Sequence, residues 1–153
     1  MVTTNEQSGT NVHEVADRIY RINTPVVMEG GPGGFSFNQY LIVDDESLIF
    51  HTGPRKMFPL VRDAVASVMP VEELRYVAFS HVEADECGSL NEWLAVAPRS
   101  MPLCGTVAAV VSIMISPTGR LVHSPTGRGF RLANIPCNGS IHRTCPTPGN
   151  AAS

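Results

Sequence analysis

Every acidic residue of the chain, fourteen in all, lies between Glu6 and Glu92. From Ile113 to Ser153 there is no Asp, Glu or Lys; that stretch carries four arginines, five prolines and two copies of SPTGR, at Ser116–Arg120 and Ser124–Arg128. Hydrophobic periodicity stops at the same place, with no clean helical or alternating stripe beyond it. A patterned fold therefore has to be built from the first 112 residues. Residues 113–153 read as a Pro-, Ser- and Gly-rich disordered tail.

Length and charge narrow the classes further. At 153 residues the chain holds one domain at most, and 43% hydrophobic residues suffice for a buried core. A net charge of −3 is opposed to the basic stripe of a general nucleic-acid binder. The longest mostly apolar stretch, Met101–Ile115, is too short to span a bilayer and is broken by Cys104, Gly105, Thr106 and Ser112. Four cysteines without a CxxC pair suggest neither a zinc knuckle nor a disulfide scaffold. The amino terminus, MVTTNEQSGTNV, lacks a basic-then-apolar export signal, so the cytoplasm is the expected compartment. Residues 1–14 read as a disordered leader in which His13 has no role.

Within residues 15–112 the order of elements is legible. Arg18–Asn23 alternates polar and apolar residues as a half-buried strand does. Gly30, Gly31, Gly33 and Gly34 around Pro32 make a loop; without GxGxxG spacing or a following lysine it reads as a turn and not as a phosphate cradle. Phe35–Val43 and Ser47–Phe50, joined by the polar turn Asp44-Asp45-Glu46, predict a hairpin. Lys56–Met69 predicts a helix with Leu60, Val61, Ala64, Val65 and Val68 on one stripe, Pro59 in its first turn and Pro70 at its end. Arg75–Ser80 is a short apolar strand, Ser89–Val96 a helix with Leu90, Trp93 and Leu94 on one side, Met101–Cys104 a strand and Val107–Ser112 a helix start. The sum is a mixed α/β layer fold whose sheet begins antiparallel.

The chemistry-bearing segment follows the apolar strand directly: Ser80-His81-Val82-Glu83-Ala84-Asp85-Glu86-Cys87-Gly88. Ligands collect outside the carboxyl ends of strands in α/β sheets. His81, Glu83 and Asp85 stand at alternate positions, so an extended turn would point all three one way. One imidazole and two carboxylates form a hard donor set suited to iron or manganese; Cys87 falls on the opposite side of the alternation. The same residues also suit an acidic solvated loop with an incidental histidine. Ser80 beside His81 lacks a GxSxG elbow and reads as structural. His51 reads as exposed, Trp93 as core, and Arg55-Lys56 as a solvated helix start.

The series FNQYLIVDD, LIFHTG, a helix and FSHVEADECGSL resembles the metallo-β-lactamase superfamily. The glutamate within HxExD is similar to the oxygen-binding diiron domain of flavodiiron proteins, whereas zinc hydrolases of that fold usually carry HxHxDH. The resemblance covers roughly residues 15–112 and implies the N-terminal half of an αββα sandwich. It implies that His81 and Glu83 bind a first iron and Asp85 a second. The position after the aspartate is often histidine in that family and is Glu86 here, which receives no role. A complete site also needs a later histidine, a bridging aspartate and a final histidine. After Ser112 the chain offers His123 and His142 and no aspartate.

That gap gives the tail a second reading. Taken one base out of register, codons able to encode the residues from Ile113 onward also admit NDLADRPPRALADGE and, further on, PHLPHAWECG, which resembles the family's next ligand segment. A one-base shift near Ile113 is therefore expected. Three functions follow for the chain. The resemblance implies a diiron oxidoreductase-type domain that binds and reduces oxygen or nitric oxide, with electrons from a separate flavin donor. A metal-dependent hydrolase using zinc is the alternative, against which Glu83 argues. The third, which the missing later ligands favour for this chain as it stands, is a truncated, inactive remnant with at most one weak metal site.

Overall fold

The computed structural model of the chain describes residues 1–27 and 34–105. Those residues form one seven-stranded sheet whose spatial order follows chain order. The strands are β1 (Val2–Asn5), β2 (Thr10–Ala16), β3 (Ile19–Val27), β4 (Gly34–Ile42), β5 (Leu48–Phe50), β6 (Tyr76–Ala78) and β7 (Met101–Leu103). The first five run antiparallel; β5, β6 and β7 are parallel to one another. Helix α1 (Phe58–Ala66) fills the crossover from β5 to β6; α2 (Ala84–Cys87) and α3 (Leu90–Val96) fill the one from β6 to β7. This is a mixed α/β fold whose sheet begins antiparallel, as the order of elements predicts.

Register explains the core. Tyr20, Leu41, Ile49, Val77 and Pro102 stand in one cross-strand row, and Val12, Ile22 and Gln39 in another. Side chains alternate faces along a strand, so these rows present their apolar members to one side. There they join Val61, Ala64 and Val65 of α1 and Trp93 and Ala97 of the α3 region in one buried cluster. Leu48, Tyr76 and Ala78 occupy the alternate positions and form a second cluster with Ile42, Phe50, Met101 and Leu103.

Two expectations are corrected. Residues 1–14 are not a disordered leader: β1 and most of β2 lie there. Val12 pairs with Ile22, and both are buried; Thr10 is buried beside Thr24, their hydroxyls 3.1 Å apart. Threonine is a strong strand former that counts as polar in a periodicity scan, which hid the alternation. His13 is an exposed β2 residue. The helix expected to reach Met69 ends at Ala66. Its last turn is drawn in by the Ser67 hydroxyl, which donates to the Ala64 carbonyl at 2.7 Å, and the Val68 and Met69 amides both turn back to the Val65 carbonyl. The expected helix start at Val107–Ser112, the glycine loop around Pro32 and the frame-shift reading of 113–153 lie outside the described residues. Among those described, no helix is long and apolar enough to cross a membrane.

Candidate functional site

Three parallel strands end in register, so the loops after β5 and β6 open at one end of the sheet, beside the end of β7. The His51 amide donates to the Ala78 carbonyl at 2.7 Å, and the Phe79 amide to the Leu103 carbonyl at 3.2 Å, so the strand exits are laced together. Immediately beyond lie His51 on one loop and Ser80-His81 on the next.

A backbone latch fixes these loops. The Thr52 amide donates to the Glu86 carbonyl at 2.7 Å. The Ser89 amide donates to Thr52 Oγ1 at 3.2 Å, and the Ser89 hydroxyl to the Thr52 carbonyl at 2.9 Å. Thr52 and Ser89 are both fully buried, so each polar group finds its partner inside the latch. Gly53 follows at φ +75°, with the buried Gln39 against it. An exposed ion pair, Arg55 with Glu92, joins the same two segments and adds little stability.

The latch brings Glu86 to the centre of the site. Its Oε2 accepts the Ser80 hydroxyl at 2.7 Å and the His81 backbone amide at 2.7 Å. The Nδ1 atoms of His51 and His81 lie 3.4 and 3.5 Å from the same oxygen. Burial works against charge on Glu86, but the Ser80 hydroxyl, the His81 amide and the two imidazoles outweigh it and hold the carboxyl below its ordinary value. Glu86 is thus an ionised hub, a role that sequence reasoning left blank.

His51 is likewise not simply exposed. Its side chain is 18% accessible, its ring meets Phe50 edge-on at 4.1 Å, and its backbone sits at φ +62°. The left-handed region costs a side-chain-bearing residue about 1–2 kcal/mol, and strain of this kind collects at functional sites. Comparing His51→Gly with His51→Ala isolates that strain, because both remove the imidazole. The glycine variant is expected to be the more stable by about 1 kcal/mol, read from urea unfolding midpoints.

The predicted ligands sit on this loop without converging. His81, Glu83 and Asp85 are all exposed. The alternation expected of them fails: the chain bends at Ser80 and His81, only Glu83 is extended, at φ −125° and ψ 152°, and α2 begins at Ala84, so Asp85 rides on a helical turn. Among the described residues no three His, Cys, Asp or Glu side chains gather as a metal-binding group. The donor chemistry nevertheless fits iron: an imidazole 71% exposed, an aspartate, and a glutamate whose side chain makes no capping hydrogen bond to α2. Soft donors are disfavoured. Burial raises the Cys87 thiol, helped by Glu86 and Asp85, and burial with Cys87 nearby raises Cys104, so both stay protonated near neutrality.

The seven-stranded mixed sheet and its crossover helices have a metallo-β-lactamase-like fold. Residues 35–124 match the model of the "ODP family beta lactamase", and the chain belongs to that family. A diflavin flavoprotein of Nostoc sp. (strain PCC 7120) is 27% identical over 79 residues, 52% of this chain and 14% of that protein. A mutant flavo di-iron protein of Thermotoga maritima superposes with a TM-score of 0.66 at 16% identity, over 79% of this chain and 34% of its own. Rubredoxin oxygen:oxidoreductase of Desulfovibrio gigas gives 0.58 at 18% identity, over 65% and 27%. The chain therefore spans well under half the length of each.

Proposed function

We propose that this chain is a diiron-oxidoreductase-type domain whose loop after β6 binds iron through His81, Glu83 and Asp85. The observation that carries the reading is the placement of that hard donor set at the carboxyl end of β6, within the family match. His81 and Glu83 would hold one ion and Asp85 part of a second, with further donors from outside the described residues. Iron bound there would supply redox chemistry on a small diatomic such as oxygen or nitric oxide. The electrons would come from a separate flavin donor, in the cytoplasm; that the curated relative is a diflavin flavoprotein supports this.

Within the loop, the chain's own residues do three things. Glu86 and the latch hold the loop against β5. Ser80 ties the imidazole of His81 to that carboxylate. The exposed carboxylates of Glu83 and Asp85 lower the local potential and favour a cation.

The test is anaerobic loading of the full chain with ferrous iron, followed by desalting and metal analysis. Retained iron that is lost in His81→Ala supports the reading. Retention of zinc alone, with esterase or thioesterase turnover, favours the hydrolase. Retention of neither metal leaves a non-catalytic remnant.

A further inference from the structure

We propose that Ser80 and Glu86 are positioning residues that set the tautomer of His81, placing the proton on Nδ1 and leaving Nε2 as the nitrogen that takes a metal. The proposal rests on the reading of His81 as a ligand.

An ionised carboxylate only accepts, and a serine hydroxyl has one proton to give. Ser80 gives it to Glu86 Oε2, at 2.7 Å. The 3.1 Å contact between Ser80 Oγ and His81 Nδ1 must then run the other way, with Nδ1–H donating to the hydroxyl oxygen. Glu86 Oε2, 3.5 Å from the same nitrogen, attracts an N–H there and repels a lone pair. The opposite tautomer would turn the Nδ1 lone pair toward both oxygens. It would be relieved only by withdrawing the serine proton from the carboxylate, at the cost of the shorter hydrogen bond.

The carboxylate cannot swing away to accommodate that tautomer. The His81 amide holds Oε2 at 2.7 Å, the Thr52 amide holds the Glu86 carbonyl, and the Glu86 amide donates to the Glu83 carbonyl at 3.0 Å. Metal-binding histidines commonly donate their second ring N–H to a carboxylate or another fixed acceptor, which orients the ring and raises its basicity. Here the acceptor is a serine relayed to a glutamate from the same loop.

The experiment uses the full chain carrying 15N-labelled histidine, with long-range proton–nitrogen correlation spectra recorded above the ordinary histidine titration range. His81 is assigned by its loss in His81→Gln. The expected spectrum shows a protonated Nδ1 and an unprotonated Nε2 for His81 in the metal-free wild type. Ser80→Ala and Glu86→Gln are each expected to move His81 toward the Nε2-protonated form. Each is also expected to weaken zinc binding about tenfold, whereas the exposed Glu72→Gln changes neither. Ser80→Ala removes only a hydroxyl, so the test survives if Glu86→Gln fails to fold. An Nε2-protonated His81 in the wild type, or a tautomer unmoved in Ser80→Ala, overturns the proposal whatever the zinc result. An Nδ1-protonated His81 that takes up no zinc overturns the ligand reading, and the positioning role with it.

Discussion

Trp93→Ala is expected to lower the unfolding free energy by about 3–5 kcal/mol. The indole is fully buried and stands edge-on to Phe58, with ring centroids 5.3 Å apart and an interplanar angle of 85°. It belongs to the same buried cluster as Ile49, Val61 and Val77, so its removal leaves a void between α3, α1 and the sheet. The indole Nε1 has no hydrogen-bond partner among the described residues, so the loss is one of packing. Trp93→Phe keeps the aromatic contact and should recover part of the stability. A typical domain has only about 5–15 kcal/mol in hand, so the alanine variant should shift the denaturant midpoint by a large fraction of its value. An unchanged midpoint would mean that α3 does not pack where it is described.

Gly88→Ala is expected to cost about 1–3 kcal/mol and to open the latch. A methyl group at that position would collide with the Ala84 carbonyl oxygen and lie 3.2 Å from the Gly53 carbonyl oxygen. Both obstacles are backbone, and Gly53 adjoins the residue that anchors Glu86 and Ser89. Relief therefore means giving up the Thr52–Glu86 and Ser89–Thr52 hydrogen bonds. Hydrogen exchange at the Thr52 and Ser89 amides should accelerate along with the stability loss. Gly105, where an added Cβ meets no atom of the described residues within 4 Å, provides the control. Gly105→Ala should leave both measurements where they were.

The parts of the fold that could be read from sequence are those where apolar spacing coincides with burial. The pair β4–β5, the apolar β6 and the inner stripe of α1 belong to this group: Leu41, Ile49, Val77, Val61, Ala64 and Val65 are all buried. The amino-terminal hairpin escaped because threonine and asparagine fill its strands and only Val12 supplies a buried aliphatic side chain. A strand beside an existing sheet needs hydrogen-bonding partners more than a long apolar run.

The site divides in the same way. Spacing singled out His81, Glu83 and Asp85 but assumed one backbone conformation throughout, and α2 intervenes at Ala84. His51 and Glu86 are far apart in sequence, and their meeting depends on the parallel pairing of β5 with β6 and on the Thr52 latch. A usable signal did exist. His51 and Ser80-His81 directly follow the two apolar strands, and strands that pair in parallel deliver their exits to one place.

A sheet whose spatial order repeats its chain order also governs how the protein is made. Each strand from β2 onward pairs with the one synthesised just before it, so contact order is low over the antiparallel part and each hairpin can close early. The first interruption comes after β5, and a second follows β6. Leu48–Phe50 waits with one edge unpaired until α1 has been made and Tyr76–Ala78 arrives to cover it. During that interval a nascent chain offers a short apolar edge to any neighbour. Misassembly between copies should accordingly start at β5, and slowing translation between Phe50 and Tyr76 should increase it.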